Sequence, residues 1–343
     1  MDMNCRNAAD AAAATDDTAD APHRILQPDQ GMATGHMPVT AAAALPAVSV
    51  AVFAYNEENL IEACLDSIAG CAGEADISVH VLVNGCTDRT EEIVRRRAAA
   101  RPDVHPVIIR LGDKANAWNH YTHSVAQESA AMHCFIDGDM TIAKGSVAAL
   151  LRAFADDPSA NGCAALPMGR RREAYRRKLA HKREMSGNFY ALRGTFLNGF
   201  RDRGIRLPVG MFGEDGLVTS LAKFGLDLGP FEEWRVTSCS GAQYHYASLS
   251  PFRLSDWRIF RNRLMRYAVR HQQNRMLYPL LWEKGAAAMP AHIIDLYRAR
   301  HRMLRLEWRG MQTLFDWIAI RRIRRDAALG ERAKSEDRAH AYS

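Results

Sequence analysis

The chain is short of long apolar runs: none of its 343 residues belongs to a stretch able to span a bilayer, and the N-terminus lacks the basic-then-apolar order of a secretory signal. Its seven cysteines, Cys5, Cys64, Cys71, Cys86, Cys134, Cys163 and Cys239, are odd in number and never form a CxxC pair. That excludes an obvious disulfide framework or zinc-ribbon site and points to reduced thiols, mostly core-filling, in a cytoplasmic protein. No GxGxxG follows the first apolar run, which disfavours a nicotinamide or flavin site, and no P-loop signature is present. The excess of one charge sign over the other is also small. Forty-five Lys and Arg against 39 Asp and Glu leave a formal +6, a mild excess that suits phosphate-bearing substrates or an anionic surface. Without a zinc-finger or RNA-binding signature it does not indicate nucleic acid.

What is present is a regular alternation. Residues 1–45, rich in Ala, Asp, Thr and Pro, show no sustained apolar period and read as a disordered leader. Order begins with the Val-rich run Ala47–Ala54, of strand length and apolar almost throughout, as expected of a parallel strand covered on both faces. It ends in Tyr55-Asn56-Glu57-Glu58, and Leu60, Ile61, Cys64, Leu65 and Ile68 then give a helical stripe. Strands follow over Ile77–Val83, Val104–Leu111 and Met132–Ile136, each passing into a polar turn and, after the first two, a helix. Strand, turn and helix in this order predict a doubly wound, mostly parallel, Rossmann-like α/β sheet whose strand-end turns line one edge. The expected organisation is the leader 1–45, an α/β domain over 46–250, a helical C-terminal extension over 251–330 and a flexible tail over 331–343.

The chemistry concentrates at Asp137-Gly138-Asp139. An apolar strand that stops in two carboxylates places hard oxygen ligands at the edge where open α/β folds bind ligands. Such ligands suit Mg²⁺ or Mn²⁺ held jointly with substrate phosphates. Taken alone, the same residues also fit a plain Asp-Gly turn. Three further strand-end motifs change the weighing: Ala54 to Glu58, Asn84-Gly85-Cys86-Thr87-Asp88-Arg89-Thr90, and Glu214-Asp215 just before a helix.

In this order and spacing the four motifs resemble glycosyltransferase family 2, the nucleotide-sugar-dependent transferases of the GT-A fold, over roughly residues 47–246. Gly112 to Asn119 is similar to that family's small-residue, basic segment. The resemblance implies a nucleotide-sugar site at Tyr55, Asn56, Glu57, Asn84, Lys114 and Asp137. It further implies a divalent metal on Asp139, with Asp137 and His245 as further ligands, and Asp215 as general base beside Glu214. The implied reaction moves one sugar from a nucleotide diphosphate to an acceptor hydroxyl with inversion. An arginine from 170–183 or 258–270 would help offset charge on the leaving diphosphate. Two departures bear on this. The family's second motif usually carries a base-contacting acid where this chain has Val83, and the Gln-x-x-Arg-Trp motif of processive members is absent, which points to transfer of a single sugar.

Two alternatives remain: a fold-retaining nucleotide-sugar-binding or scaffold protein without turnover, and a nucleotidyltransferase, although Tyr55-Asn56-Glu57-Glu58 stands where the latter would carry a glycine-rich basic loop. In the C-terminal part, Leu304, Trp308, Met311, Phe315 and Ile318 recur at helical spacing among arginines. They read first as a core stripe packing on the sheet. The other reading is a basic amphipathic surface touching the inner face of a membrane, where a lipid-linked acceptor would reside.

Overall fold

The computed structural model describes residues 45–71, 75–169, 172–246 and 254–341. The leader expected over residues 1–45 lies outside them apart from Leu45. The elements are β1 (Ala47–Ala54), α1 (Ile61–Ala69), β2 (Asp76–Asn84), α2 (Thr90–Ala100), β3 (Val104–Ile109), α3 (Lys114–His120), β4 (Met132–Asp137), β5 (Met140–Ile142) and α4 (Ser146–Asp156). They continue with β6 (Gly162–Pro167), α5 (Glu173–Lys182), β7 (Phe189–Arg193), α6 (Gly194–Asp202), α7 (Glu214–Phe224), β8 (Val236–Tyr246), α8 (Leu254–Lys284), α9 (Ile293–Arg300) and α10 (Gln312–Ala341).

All eight strands form one sheet in the order β3-β2-β1-β4-β7-β6-β8-β5. β3, β2, β1 and β4 are mutually parallel; β7 reverses against β4 and β6, β6 and β8 run parallel, and β5 closes the edge antiparallel to β8. The doubly wound α/β expectation therefore holds, with helices on both faces. Strand alternation assigns the faces. Val48, Val50, Val52 and Ala54 of β1 and Met132, Cys134 and Ile136 of β4 meet Ile61, Cys64 and Leu65 of α1, Ile93 of α2 and Leu150 of α4. Ala51, Phe53 and Phe135 face the other way, onto Trp118 of α3, Phe200 of α6, Leu217 of α7 and residues of α8 to α10 such as Met276, Leu296 and Ile323. The C-terminal helices thus share a core with the sheet.

Phe135 is the hub of that second core. It stacks on Tyr190 at 4.8 Å and Trp118 at 6.0 Å, and Trp118 Nε1 donates to the Tyr190 hydroxyl at 3.1 Å. Removing such a ring costs about 3–5 kcal/mol. This aromatic floor lies one residue pair beneath the carboxyl end of β4.

The helical stripe expected over 304–318 is corrected by the structure. Residues 304–311 are not helical, and α10 starts only at Gln312. Leu304 is buried, but Trp308 is 85% and Met311 91% exposed. The residues that seat α10 are Ala319, Ile320, Ile323 and Ala327. α10 continues as helix to Ala341, past residue 331 where a flexible tail was expected. Among the described residues, no helix is long and apolar enough to cross a membrane.

Candidate active site

The parallel strands β1, β2, β3 and β4 deliver their terminal turns to one edge, where a cleft of about 750 Å³ opens. It is lined by Tyr55 and Glu57 after β1, Asn84 after β2, Asp113 and Lys114 after β3, Asp137 and Asp139 at the end of β4, and Glu214 and Asp215 at the start of α7. Gly138 lets the two aspartates flank a close approach: its N–H donates to the Phe53 carbonyl at 2.8 Å, and a β-carbon there would press within 3.0 Å of that oxygen.

Lys114 ties the cleft together. Its Nζ lies 2.5 Å from Asp137 Oδ1 and 3.1 Å from Glu214 Oε1, and donates to the Gly187 carbonyl at 3.1 Å. It also sits 5.1 Å above the Phe53 ring. It is the first residue of α3, whose cap, Asp113, accepts from Asn116 N at 2.7 Å through Oδ1 and from Gly210 N at 2.9 Å through Oδ2. Asn84 in turn accepts from Asp113 N at 3.1 Å. Three turns are thereby locked around one ammonium. Sequence reasoning missed Asp113; an Asp three residues before Asn116 at a helix start is its only local signal.

The two acids of α7 are held differently. Gly213, in a left-handed conformation (φ 77°), caps the helix, so Asp215 is not its cap. Asp215 Oδ2 accepts from Gly187 N at 3.0 Å, Oδ1 accepts from Gly216 N at 2.8 Å, and Arg270 Nη1 of α8 lies 3.4 Å from Oδ1. The glycines on either side have a physical reason: a β-carbon at Gly213 or Gly216 would run into the Arg270 guanidinium. Burial, joined by the neighbouring Glu214 charge, raises the Asp215 carboxyl above its ordinary range. Burial pushes Glu214 the same way but is outweighed by the Lys114 ammonium, its hydrogen bond and Arg270, so Glu214 titrates below its ordinary value. One acid is a fixed anion and the other a more basic carboxylate.

Around Asp139 the balance is acidic. Burial, then repulsion from Asp139, Asp137 and Asp88, moves Glu57 to about 7. Burial also raises Asp137, to about 7, against the pull of Lys114, and raises Asp139, with Lys114 and Arg263 opposing. Crowded, half-desolvated carboxylates at a sheet edge are what a divalent cation relieves. Among the described residues no three His, Cys, Asp or Glu side chains are placed to hold an ion by themselves. The donor set therefore fits Mg²⁺ or Mn²⁺ that takes its remaining ligands from water and substrate phosphate.

Not every candidate residue reaches the cleft. Asn56 (φ 57°) spends its Oδ1 on Thr87 N at 2.8 Å and orders the turn after β2 from outside the lining. Val83 is buried, leaving that strand end without an acid in the cleft. His245 is not brought to Asp137 and Asp139. It is exposed on β8, opposite Thr141 of β5, and its neighbour Tyr246 lines the cleft instead. Successive strand residues face opposite sides, so Tyr246 and His245 cannot both point inward. Among the described residues, the cleft's arginines come from the 258–270 stretch, where Arg263, Arg266, Tyr267 and Arg270 line it at helical spacing, while the 170–183 stretch contributes Tyr175. Arg172, near the start of the other stretch, stacks on Tyr246 at 3.8 Å.

Comparison with known proteins bears on the segment and on the fold. Residues 49–209 match the model of the family described as "Glycosyl transferase family 2". No curated protein matches. Among solved structures, the mannosyltransferase PcManGT from Pyrobaculum calidifontis, in complex with GDP-Man and Mn²⁺, is similar at 18% identity, with 86% of this chain and 76% of that one covered and a TM-score of 0.50. Glucosyl-3-phosphoglycerate synthase from Mycobacterium tuberculosis, in complex with UDP, shares 22% identity over 62% of this chain and 75% of that one, with a TM-score of 0.43. Residues 49–209 of the chain thus match glycosyl transferase family 2, and the architecture is similar to the GT-A fold.

Proposed function

We propose that the protein transfers one sugar from a nucleoside-diphosphate donor to an acceptor hydroxyl, with inversion, in the cleft at the end of β4. The observation that supports the reading is the convergence of four separate strand-end turns on one cleft, which brings Asp137, Asp139 and Asp215 into its lining. A nucleotide diphosphate fits the cleft chemically. Asp139, with Asp137, would hold Mn²⁺ or Mg²⁺ against the diphosphate, and the bound cation would offset charge on the leaving group. Arg263 and Arg266 supply fixed positive charge in the lining. Tyr55, 55% exposed at the mouth, offers a ring face to the base, and Glu57 and Asn84 lie beside it.

Asp215 is the general base in this reading. Its raised basicity favours accepting a proton and its two backbone N–H contacts fix its orientation, whereas Glu214 is committed to Lys114. Lys114 holds Asp137 and Glu214 in register. A base with no covalent intermediate inverts the anomeric centre. The test is a panel of nucleotide sugars incubated with the protein and Mn²⁺, scored by released nucleoside diphosphate. Metal-dependent release from at least one donor is expected. Release from none, despite binding, would favour a nucleotide-sugar-binding protein without turnover.

A further inference from the structure

A second concavity adjoins the cleft. α8 and α10 meet at a small core of Ala268, Val269 and Ala319, with Phe212, Met265 and Phe315 packed against it. Over this core lies an open groove of about 880 Å³. Its floor is apolar, formed by Phe212, Met265, Val269, Phe315 and Ile318. Its walls carry Arg261, Arg266, Arg321, Arg322 and Arg325, and no carboxylate among the described residues lines it. Among the described residues, Arg261, Arg266 and Arg321 have no carboxylate partner; Arg321 lies 4.7 Å over the Trp317 ring, while Arg322 and Arg325 share Asp326. Phe212 and Arg266 also line the cleft, so groove and cleft are continuous.

An apolar floor under five guanidinium groups is matched by one kind of ligand: a negatively charged head on an apolar body. Arginine binds phosphate oxygens in a planar, bidentate manner, which favours a phosphate head. The surroundings say that such a ligand arrives in a bilayer. Along the start of α10, Leu314, Trp317 and Ile318 are exposed, and Trp308 and Met311 just before it are 85% and 91% exposed. Water disfavours such a surface, whereas a membrane interface accepts aromatic and basic side chains together.

We propose that the groove between α8 and α10 docks the phosphate head and adjoining carbons of an anionic membrane lipid, seating the mouth of the cleft at a bilayer surface. Its use to present a lipid-borne acceptor to Asp215 rests on the transferase reading; the docking itself does not.

The test is sedimentation of the full chain with vesicles of phosphatidylglycerol and phosphatidylcholine, and of phosphatidylcholine alone, at low salt. Wild type should bind the anionic vesicles and not the neutral ones. Arg261→Glu/Arg321→Glu replaces two exposed residues outside the catalytic cleft and should weaken binding at least ~10-fold, since each basic residue near an anionic surface contributes roughly a kcal/mol. Ile318→Asn should weaken it with the charge intact. An unchanged circular dichroism spectrum and melting temperature confirm that both variants fold. Inorganic phosphate at matched ionic strength should not displace the vesicles. No binding to anionic vesicles, equal binding to neutral ones, or full binding by the double variant would overturn the proposal. So would displacement by phosphate, which marks a free-anion site, or loss of a dimer in the double variant without lipid, which marks self-association. Vesicle binding without nucleotide-sugar turnover would strike the transferase reading and leave the docking supported.

Discussion

Replacing Lys114 by methionine keeps the stem over Phe53 and removes the ammonium that Asp137, Glu214 and the Gly187 carbonyl share at 2.5, 3.1 and 3.1 Å. With an effective dielectric of ~20, each ion pair is worth roughly 5–7 kcal/mol before desolvation is subtracted. The measured cost of stranding the partner of a buried pair is about 3–5 kcal/mol. The side chains retain 29%, 26% and 10% exposure for Lys114, Asp137 and Glu214, so the lower end applies, about 3 kcal/mol. For a chain of this size that is a fall in Tm of roughly 5–10 °C. The sign of the coupling is the sharper expectation. Glu214→Gln removes one of the two stranded carboxylates, so Lys114→Met/Glu214→Gln should be more stable than Lys114→Met alone by about 1 kcal/mol. Urea melts of the four proteins at pH 7.5 measure this cycle. A loss below about 1 kcal/mol for Lys114→Met, or strictly additive losses, would refute the role of Lys114 as the cleft's electrostatic tie.

The remaining predictions concern acid stability and the base. Burial, with His105 opposing protonation, holds His80 at about 4, and burial, with Arg201 and His80, holds His133 at about 3. Unfolded imidazoles titrate near 6.5, so their contribution is whole above that pH and is lost as pH falls toward 4 and 3, by roughly 1.4 kcal/mol per unit for each. Urea midpoints from pH 7 to 5 should drop accordingly and flatten in His80→Asn/His133→Asn; equal slopes for the two proteins would contradict it. Asp215→Asn preserves the size of the side chain near Gly187 N and Gly216 N, so donor binding should persist while turnover falls about 10²–10⁴-fold. Near-normal turnover on the true acceptor would remove Asp215 as base.

Much of the architecture was legible because the forces behind it are local. β1 reads from Ala47 to Ala54 in both sequence and structure, since a central parallel strand must be apolar on both faces. Asp137-Gly138-Asp139 announced the cleft because its glycine is needed where β4 meets β1. The misses share a cause: they depend on register or on distant packing. His245 carries the right chemistry, but strand alternation turns Tyr246 rather than His245 to the cleft. Arg270 lies far in sequence from Gly213 and Gly216, so the reason for the two glycines is not visible until α8 is in place. Trp308 and Met311 fit a helical period that the backbone does not adopt before Gln312. The short β5 pairs only with β8, more than a hundred residues later, and has no local signature.

In the proposed reading, Asp139 joins a divalent cation and a nucleotide diphosphate in the cleft after β4. The most direct measurement is the thermal shift of wild type and Asp139→Ala with nucleoside diphosphates, each with Mn²⁺ and with excess chelator. Ligand at ~100 times its Kd should stabilise the folded chain by about 2.7 kcal/mol. A shift is expected for wild type only when Mn²⁺ and nucleotide are both present, and none for Asp139→Ala at an unchanged unliganded Tm. An equal shift in chelator, or an equal shift for Asp139→Ala, would contradict it.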